Sequence, residues 1–402
     1  MSIRRHLIHN EKLNPKKLKL INLISFLMGF SQAVLVYVMA YYFKVASGMD
    51  SPGVFYLISY SILLVTLLNF HKIIKKFGKS ATFYFSFLVK ITAMTLLIIL
   101  GPSPLSIVAL IAYIIFANLS WVGLDNILES LSIDRMSGRI RGLYLTIVNA
   151  GFVFGPFIST RLLDSFDFSG IFMTILLLDS VIFIIALIGL RNINHEFNQR
   201  ESVLELVKRV LKRKNVMYSY YTSFTLHFFY ALMVIYTPLY LLSLGIGWKD
   251  IGIIFSVMLI PFVLLQYPAG RLADKEMGEK ELIILALFLM GVSTLTIYFI
   301  NSSAVAVWAI VLFSTRIGAA LLEILSDSYF YKRIDGGDVD IINFFRTARS
   351  VAYITASAVS VLFLFVFPLK TVFLLVAAVV FSALYPAFRL ADNMSEKEAA
   401  KN

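Results

Sequence analysis

Long apolar runs recur along the whole chain, and their length matches the thickness of a bilayer. A spanning helix needs roughly 20 predominantly apolar residues, and runs of this kind occupy, for example, 20–43, 82–100 and 171–190. Hydrophobic residues fill 59% of the 402 positions and charged residues only 15%, which a water-soluble domain could not hide in one core. The sequence therefore predicts an all-α membrane protein and excludes the soluble classes.

Twelve candidate spans can be delimited, six on each side of one long hydrophilic stretch. They lie at about 19–43, 53–71, 81–100, 104–128, 142–162, 169–190, 216–242, 249–269, 281–300, 304–328, 342–366 and 369–389. We predict a six-helix half over 1–190, a cytoplasmic linker over 191–215 and a second six-helix half over 216–402.

The basic residues are distributed unevenly between alternate loops. If the first span runs from inside to outside, the outside loops hold only Lys44, Arg161, Lys249 and Lys370. All the larger basic clusters then fall inside, and this asymmetry is the positive-inside rule. It predicts a multi-pass protein of the cytoplasmic membrane with both termini in the cytoplasm, and it accounts for the net charge of +12 without nucleic acid. The first apolar run is too long for a cleaved signal and is expected to be retained.

The linker contains a short amphipathic pattern. Ser202 and Glu205 have the spacing of a capping box, and an apolar stripe beginning at Val203 alternates with the basic residues Lys208, Arg209 and Lys212. The pattern predicts a helix on the anionic inner leaflet. A solvated linker with incidental periodicity is the alternative.

Several chemistries are absent from the sequence. Without cysteine the chain has no disulfide, thiol catalyst or zinc-thiolate site, and its five histidines show no metal-ligand spacing. No phosphate-binding Gly-rich loop followed by Lys and Ser or Thr is present. We therefore expect no metal, no cofactor and no direct use of ATP.

An internal repeat relates the two halves. Asp125-x3-Glu129-x5-Arg135 in the first half matches Glu323-x3-Asp327-x5-Arg333 in the second at a constant offset. After a three-residue slip, Thr146 and Ser159 align with Thr347 and Ser360. Two parallel six-helix repeats are a known plan of secondary transporters.

Together with a loop motif, this plan resembles the major facilitator superfamily (MFS). Gly270-Arg-Leu-Ala-Asp274-Lys275, followed by Gly278 and Lys280, is similar to the family's cytoplasmic Gly-x-x-x-Asp-Arg/Lys-x-Gly-x-Arg/Lys loop, with one extra residue before Gly278. The equivalent loop of the first half, 71–79, has His71 and Lys75 where the family has Gly and Asp. The resemblance implies the MFS fold of twelve transmembrane helices in two six-helix repeats, and transport by alternating access.

The fifth span carries a second motif. Gly151-x3-Gly155-Pro156 resembles a motif that the family associates with exporters exchanging solute for protons, although Ser159 and Thr160 replace its closing glycines. Sequences of this small-x3-small type also pack membrane helices closely whatever the direction of transport. We favour the exporter interpretation, with helix packing alone as the alternative.

Three charged side chains lie near the middle of predicted spans, where each needs a partner, a wet cavity or a function. Lys90 and Asp179 share a depth in spans that the family places at the periphery, and they predict a structural ion pair. Arg316 lies midway along span 10, which the family turns toward the central cavity, and Asn118 is its repeat equivalent. The planar donor fork of Arg316 suits a carboxylate or phosphate of the substrate. The alternative is a structural ion pair between Arg316 and Glu323.

Other candidates concern coupling and gating. His227 is a candidate proton carrier because an ordinary histidine titrates near pH 6.5; the alternative is a neutral packing residue. In the family, the cytoplasmic ends of spans 4 and 10 meet the Gly-x-x-x-Asp loops and close the inner gate. The resemblance thus implies an inner gate at this end of the protein, and the alternative is that its charged residues are ordinary interfacial charges. The candidate gate residues are Gly270, Asp274, Lys275, Gly278, Asp125, Glu129, Arg135, Glu323, Asp327, Arg333, Arg346 and Arg349.

The sequence thus predicts a secondary transporter and not an enzyme. The expected function is proton-coupled efflux of a small organic solute across the cytoplasmic membrane by alternating access, as an antiporter. The alternatives are an uptake symporter for a sugar or organic anion, and a non-transporting membrane sensor. The expected partners are a small-molecule substrate, membrane lipids and protons, and the protein is expected to be a monomer. Candidate substrate-binding residues are Gln32, Asn118, Asn149, Tyr230 and Arg316.

Overall fold

The computed structural model describes residues 15–131, 137–190, 203–333 and 339–391, and within these ranges the regular structure is helical throughout. The α-helices are α1 (Pro15–Val36), α2 (Met39–Ser47), α3 (Gly53–Leu68), α4 (Phe70–Phe77), α5 (Lys79–Leu100), α6 (Pro104–Leu131), α7 (Ser137–Gly189), α8 (Val203–Lys212), α9 (Lys214–Ser243), α10 (Trp248–Leu264), α11 (Gln266–Leu272), α12 (Lys280–Phe299), α13 (Val305–Lys332), α14 (Val339–Val366), α15 (Val372–Ser382) and α16 (Leu384–Phe388). A π-helix over Ala273–Met277 and a 3-10 turn over Leu369–Thr371 complete them.

Ten helices in the described part of the chain are long and apolar enough to cross a membrane. One of them, Thr146–Gly189, has 44 residues and covers most of two predicted spans, 142–162 and 169–190. The two are separated at Asp167, whose backbone leaves the helical region (φ 57°, ψ −163°). The second predicted span corresponds to α3, which is apolar but has only 16 residues. The all-α membrane fold is confirmed, and the count of twelve stays a prediction.

Large apolar side chains cover the outside of the bundle. Ile99, Ile188 and Phe365 are 73%, 80% and 92% exposed, respectively. In water such a surface would be an aggregation hazard. In a bilayer the same side chains face lipid, and the polar side chains are turned inward because each unsatisfied polar group in hydrocarbon is costly.

Two of the predicted spans are interrupted close to a proline. α10 contains Pro261 and ends at Leu264, and α15 ends at Ser382, four residues before Pro386. Proline has no N–H to donate, and its ring clashes with the carbonyl group four residues earlier. Both interruptions lie near the end of the bundle that we call the basic end, defined by α4 and Ala273–Met277.

The two halves of the bundle meet at the opposite end, which we call the far end and define by Ser47–Gly53, Asp167 and Leu244–Trp248. The Ser51 hydroxyl of the first half lies 3.4 Å from Tyr236 Oη of α9 in the second half. Lys249 Nζ lies 2.8 Å from Asp164 Oδ2, which joins α10 to α7. Contacts from both halves therefore close the bundle at the far end.

Helices α1 and α7 approach each other through glycines of the fifth-span motif. A Cβ atom added at Gly155 would lie 2.2 Å from Ala33 Cβ and 2.6 Å from the Ala33 carbonyl carbon. One added at Gly151 would lie 2.5 Å from the Phe26 carbonyl oxygen. Because most of these neighbours are backbone atoms, they cannot rotate away. Helix packing alone is enough to require the motif's glycines.

We expect Gly155→Ala to lower the free energy of unfolding by about 1–3 kcal/mol, the usual cost of overpacking. Thermal denaturation in detergent is the measurement. Gly247→Ala is the matched control, because a Cβ atom there would meet nothing within 4 Å. Equal midpoints for the two variants would contradict this account of the α1–α7 contact.

The linker contains the short helix α8, and Ser202 with the rest of 191–202 lies outside the described residues. Val210 of α8 is fully buried and packs with Val216, Phe330 and Phe345 at the basic end, whereas Leu211 is 58% exposed. α8 is thus attached to the second half through Val210. Its contact with the inner leaflet and the division of the chain into 1–190, 191–215 and 216–402 stay predictions.

Candidate substrate cavity

A cavity of about 390 Å³ lies between the two halves. The first half contributes to it from α1, α3, α6 and α7, and the second half from α9, α10, α13 and α14. It extends from mid-membrane toward the basic end, where Asp125, Asp327, Tyr331 and Arg346 line it. Nearby, the rings of Tyr60 and Tyr353 stack across the halves, with centroids 4.1 Å apart. The volume suits one small organic molecule.

All five residues predicted to bind substrate line this cavity: Gln32, Asn118, Asn149, Tyr230 and Arg316. The Gln32 side-chain oxygen accepts a hydrogen bond from Trp121 Nε1. Asn118 Nδ2 donates to the Ile114 carbonyl in its own helix over 2.8 Å. The structure therefore brings these residues to one place, and their role in binding stays a prediction.

Arg316 is a charged side chain of the cavity wall that is almost fully buried, with only 2% of its surface exposed. Its Cζ atom lies 4.9 Å from the centre of the Phe229 ring and 5.7 Å from that of Tyr230. Among the described residues, neither Nε nor Nη1 has a hydrogen-bond partner. A buried guanidinium with free donors is costly unless a ligand completes its hydrogen bonds.

The ion pair of Arg316 with Glu323, which the sequence offered as the alternative, does not form in the described structure. Glu323 Oε2 instead accepts a hydrogen bond of 2.8 Å from Gln266 Nε2. Gln266 Oε1 in turn accepts one of 3.0 Å from Asn149 Nδ2. The arginine's donors remain available at the cavity, and the carboxylate belongs to a different network.

His227 also lines the cavity, with its ring centroid 6.0 Å from that of Tyr230. It therefore shares one enclosed space with Glu323 and Asp327. Among the described residues, the carboxyl group of Asp125 faces the same cavity from the first half. A role for His227 in proton movement stays a prediction.

Of the predicted gate residues, Asp125, Glu323, Asp327, Arg346 and Arg349 line the cavity toward the basic end. The others lie outside it or outside the described part of the chain. Gly270 lies in α11, Gly278 follows the π-helix with φ 73°, and Arg333 Nη2 donates to the Ala391 carbonyl over 2.9 Å. Arg135 and the side chains of Glu129, Asp274 and Lys275 are outside the described residues. The gate stays a prediction.

Lys90 and Asp179 lie in direct contact away from the cavity. Lys90 Nζ is 2.9 Å from Asp179 Oδ1, and the two side chains are 3% and 0% exposed. The same oxygen accepts a hydrogen bond of 2.8 Å from Ser31 Oγ, so the cluster joins α1, α5 and α7. The Lys90 ammonium also lies 4.8 Å from the Phe87 ring centre. A structural role is consistent with this geometry.

Sequence reasoning missed three contributors to the cavity region: Gln266, Trp121 and Tyr353. Gln266 is 3% exposed and connects the halves. Like Gln32 and Asn118, it is a lone amide in an apolar run, and the cost of burying polar groups in a membrane could have identified it. Trp121 and Tyr353 carry no comparable signal, because aromatic residues are common on every face of these helices.

Comparison with protein families agrees with this architecture. The family model described as the Major Facilitator Superfamily matches residues 21–335. The chain belongs to this superfamily. It is accordingly a multi-pass membrane protein and a secondary transporter, not an enzyme, with a small-molecule substrate and membrane lipids around it.

A solved structure supports the MFS fold independently. The chain is similar to a crystal structure of a mutant of the nucleoside transporter NupG, with a TM-score of 0.72 and 15% sequence identity. The match covers 93% of this chain and 99% of that one. At this identity the likeness shows the fold alone. A search of curated proteins found no significant match.

Proposed function

We propose that this MFS protein transports a small organic anion through the central cavity, coupled to protons, across the cytoplasmic membrane with both termini inside. The observation that carries the proposal is Arg316, a buried guanidinium at the cavity whose Nε and Nη1 have no hydrogen-bond partner within the described ranges of the chain. Arginine remains charged under all ordinary conditions, and its fork matches a carboxylate or phosphate. A substrate with such a group would satisfy the donors that the protein leaves open.

The surrounding walls suit the remainder of a small organic molecule. Gln32, Asn118, Asn149 and Tyr230 supply polar atoms around the cavity. The apolar part of the lining includes, from both halves, Val36, Leu63, Phe152, Leu259 and Phe262. Pockets for small ligands combine a mostly apolar wall with a few placed polar groups, and this composition fits an amphiphilic anion.

Charge determines which form of proton coupling the cavity favours. Arg316 and Glu323 lie two turns apart on α13, about 10 Å along the helix. An anion bound at Arg316 and the ionised Glu323 carboxylate are both negative, and at this distance they would repel each other by about 1.6 kcal/mol at an effective dielectric constant of 20. An anion bound at Arg316 would therefore strengthen proton binding at Glu323 by roughly tenfold. Substrate and proton then travel together, which favours uptake by symport.

Export in exchange for protons, the first expectation from the sequence, is the second candidate. It is favoured by the fifth-span motif, because the helix that carries Gly151 and Gly155 also lines the cavity through Val148, Asn149 and Phe152. In an exchanger, proton and substrate compete for one site. A cationic or neutral substrate near Glu323 and Asp327 would fit that scheme better than an anion.

The decisive experiment is substrate-driven proton movement in proteoliposomes that contain a trapped pH dye. We expect external organic carboxylates or phosphates to acidify the lumen at least five times faster than in protein-free liposomes. Neutral sugars, nucleosides and organic cations form the comparison set. Lumen alkalinisation would favour exchange, and movement driven only by neutral or cationic solutes would reject the anion proposal.

A further inference from the structure

A chain of three hydrogen-bonding side chains crosses the interface between the halves. It begins at Asn149 on α7, passes through Gln266 at the start of α11 and ends at Glu323 on α13. Gln266 Oε1 accepts from Asn149 over 3.0 Å, and Gln266 Nε2 donates to the Glu323 carboxylate over 2.8 Å. One amide therefore contacts both a protonatable group of the second half and a side chain of the first half.

The charge of the carboxylate determines which group donates and which accepts in each of the two hydrogen bonds of Gln266. An ionised Glu323 can only accept, so the Gln266 amide must present its NH2 group to it and its oxygen to Asn149. Hydrogen bonds to a charged acceptor are roughly twice as strong as neutral ones. Serial bonds also polarise one another, so a strong first bond improves Gln266 Oε1 as an acceptor.

We propose that Gln266 is a positioning residue that links proton binding at Glu323 to the contact between the two halves. The inference deepens the proposed function, because it assigns the proton site and the path by which its charge acts. A proton on Glu323 removes the charge assistance and weakens both bonds. The conformation with the cavity reaching the basic end then loses a contact that holds its halves together.

Other charged groups face Glu323 and must be considered. Arg316 and Asp327 lie on its own helix, Arg346 and Arg349 line the cavity from α14, and His227 does so from α9. Tyr230 of α9 also lines the cavity. Of the other helices packed on α13, α11 contributes Gln266, α10 contributes only the apolar residues Leu259 and Phe262 to the cavity lining, and α12 contributes no residue to that lining. Asp125 of α6 lines the cavity from the first half. Among these protonatable groups, Glu323 has the hydrogen-bonded route through Gln266 to Asn149.

The absence of native cysteine permits a direct measurement on the full chain. Spin labels on Lys76→Cys and Glu276→Cys report the separation of the halves at the basic end, where both positions are exposed. Without any substrate, we expect acidification from pH 8.5 to 5.5 to shift the ratio of open to closed distances by about fivefold toward closed. We expect Glu323→Gln to show the low-pH distribution at every pH.

Gln266→Met keeps the side-chain volume and removes both hydrogen bonds, so we expect it to lose the pH response. Gln266→Asn, which keeps an amide one methylene shorter, should retain part of it. Thr294→Val is the control, because Thr294 is buried but bonds only within its own helix, to the Met290 carbonyl. It should respond like the parent protein.

Three results would overturn the inference: a full pH response in both Gln266 variants, a full response in Glu323→Gln, or loss of the response in His227→Gln. The last would move the proton site to the histidine. Since the probe is the proton alone, failure here is distinct from failure of the anion proposal. A retained response with no anion transport would leave the Gln266 link standing and reject the proposed substrate class.

Discussion

Replacing Arg316 by methionine is expected to reduce the affinity for the anionic substrate by about 100-fold or more. Methionine keeps the packing against Phe229 and Tyr230 while removing the charge and the donors. Hydrogen bonds that involve a charged group contribute about 1.5–3 kcal/mol each. Two such bonds, to one carboxylate or phosphate, amount to at least 3 kcal/mol, and every 1.4 kcal/mol is a factor of ten.

The measurement is the half-saturation concentration for anion-driven proton uptake in proteoliposomes. Arg316→Lys retains the charge without the planar fork, so we expect an intermediate loss of about tenfold. Arg161→Met is the matched control, since Arg161 lies outside the cavity and donates to Phe157 in its own helix. An unchanged half-saturation concentration in Arg316→Met would disprove the binding role.

The same variant should not weaken the fold. Arg316 carries a buried charge whose Nε and Nη1 have no partner among the described residues. Removing such a group relieves a desolvation cost instead of breaking a bond. We therefore expect the unfolding midpoint of Arg316→Met to equal or exceed that of the parent protein, which separates a lost binding site from a lost fold.

Much of the fold could be predicted because a bilayer imposes simple rules on a sequence. Each apolar run of sufficient length must form a helix, since a helix satisfies its own backbone hydrogen bonds. The exceptions are local and have physical causes. Asp167 interrupts one very long helix without a proline, inside the interval that the sequence leaves between the spans 142–162 and 169–190. α3 ends at Leu68, three residues before the predicted end of its span, and this boundary does not show in hydropathy alone.

The location of the cavity residues was predictable for a similar reason. A polar side chain in an apolar run is costly against lipid, so Gln32, Asn118, Asn149 and Arg316 were each expected to face inward. Their partners were not predictable. Glu323 lies two turns from Arg316 on one helix, yet it is paired with Gln266 of another helix. The rotation and approach of neighbouring helices decide such pairs, and one sequence does not encode them visibly.

Replacing Lys90 by methionine is expected to have the opposite effect on stability from Arg316→Met. Asp179 is fully buried, and its Oδ1 atom accepts from both Lys90 and Ser31. Without the ammonium its negative charge remains in a low-dielectric environment with only a hydroxyl donor. Breaking a buried pair by removing one partner costs about 3–5 kcal/mol, so the free energy of unfolding should fall by that order.

A double variant tests whether the pair is structural. Replacing a buried ion pair by apolar residues of similar volume is often neutral or stabilising. We therefore expect Lys90→Met with Asp179→Leu to recover the parental unfolding midpoint in detergent and to restore substrate accumulation. If each single variant abolishes accumulation and the double variant does not restore it, the pair serves transport directly.

An exposed pair of the same residue types provides the control. Lys249 Nζ lies 2.8 Å from Asp164 Oδ2, but the side chains are 64% and 42% exposed. Exposed pairs typically contribute less than about 1 kcal/mol, since water and salt screen them. We expect Lys249→Met to shift the midpoint far less than Lys90→Met. Similar shifts in the two would mean that burial does not set the strength of the Lys90–Asp179 contact.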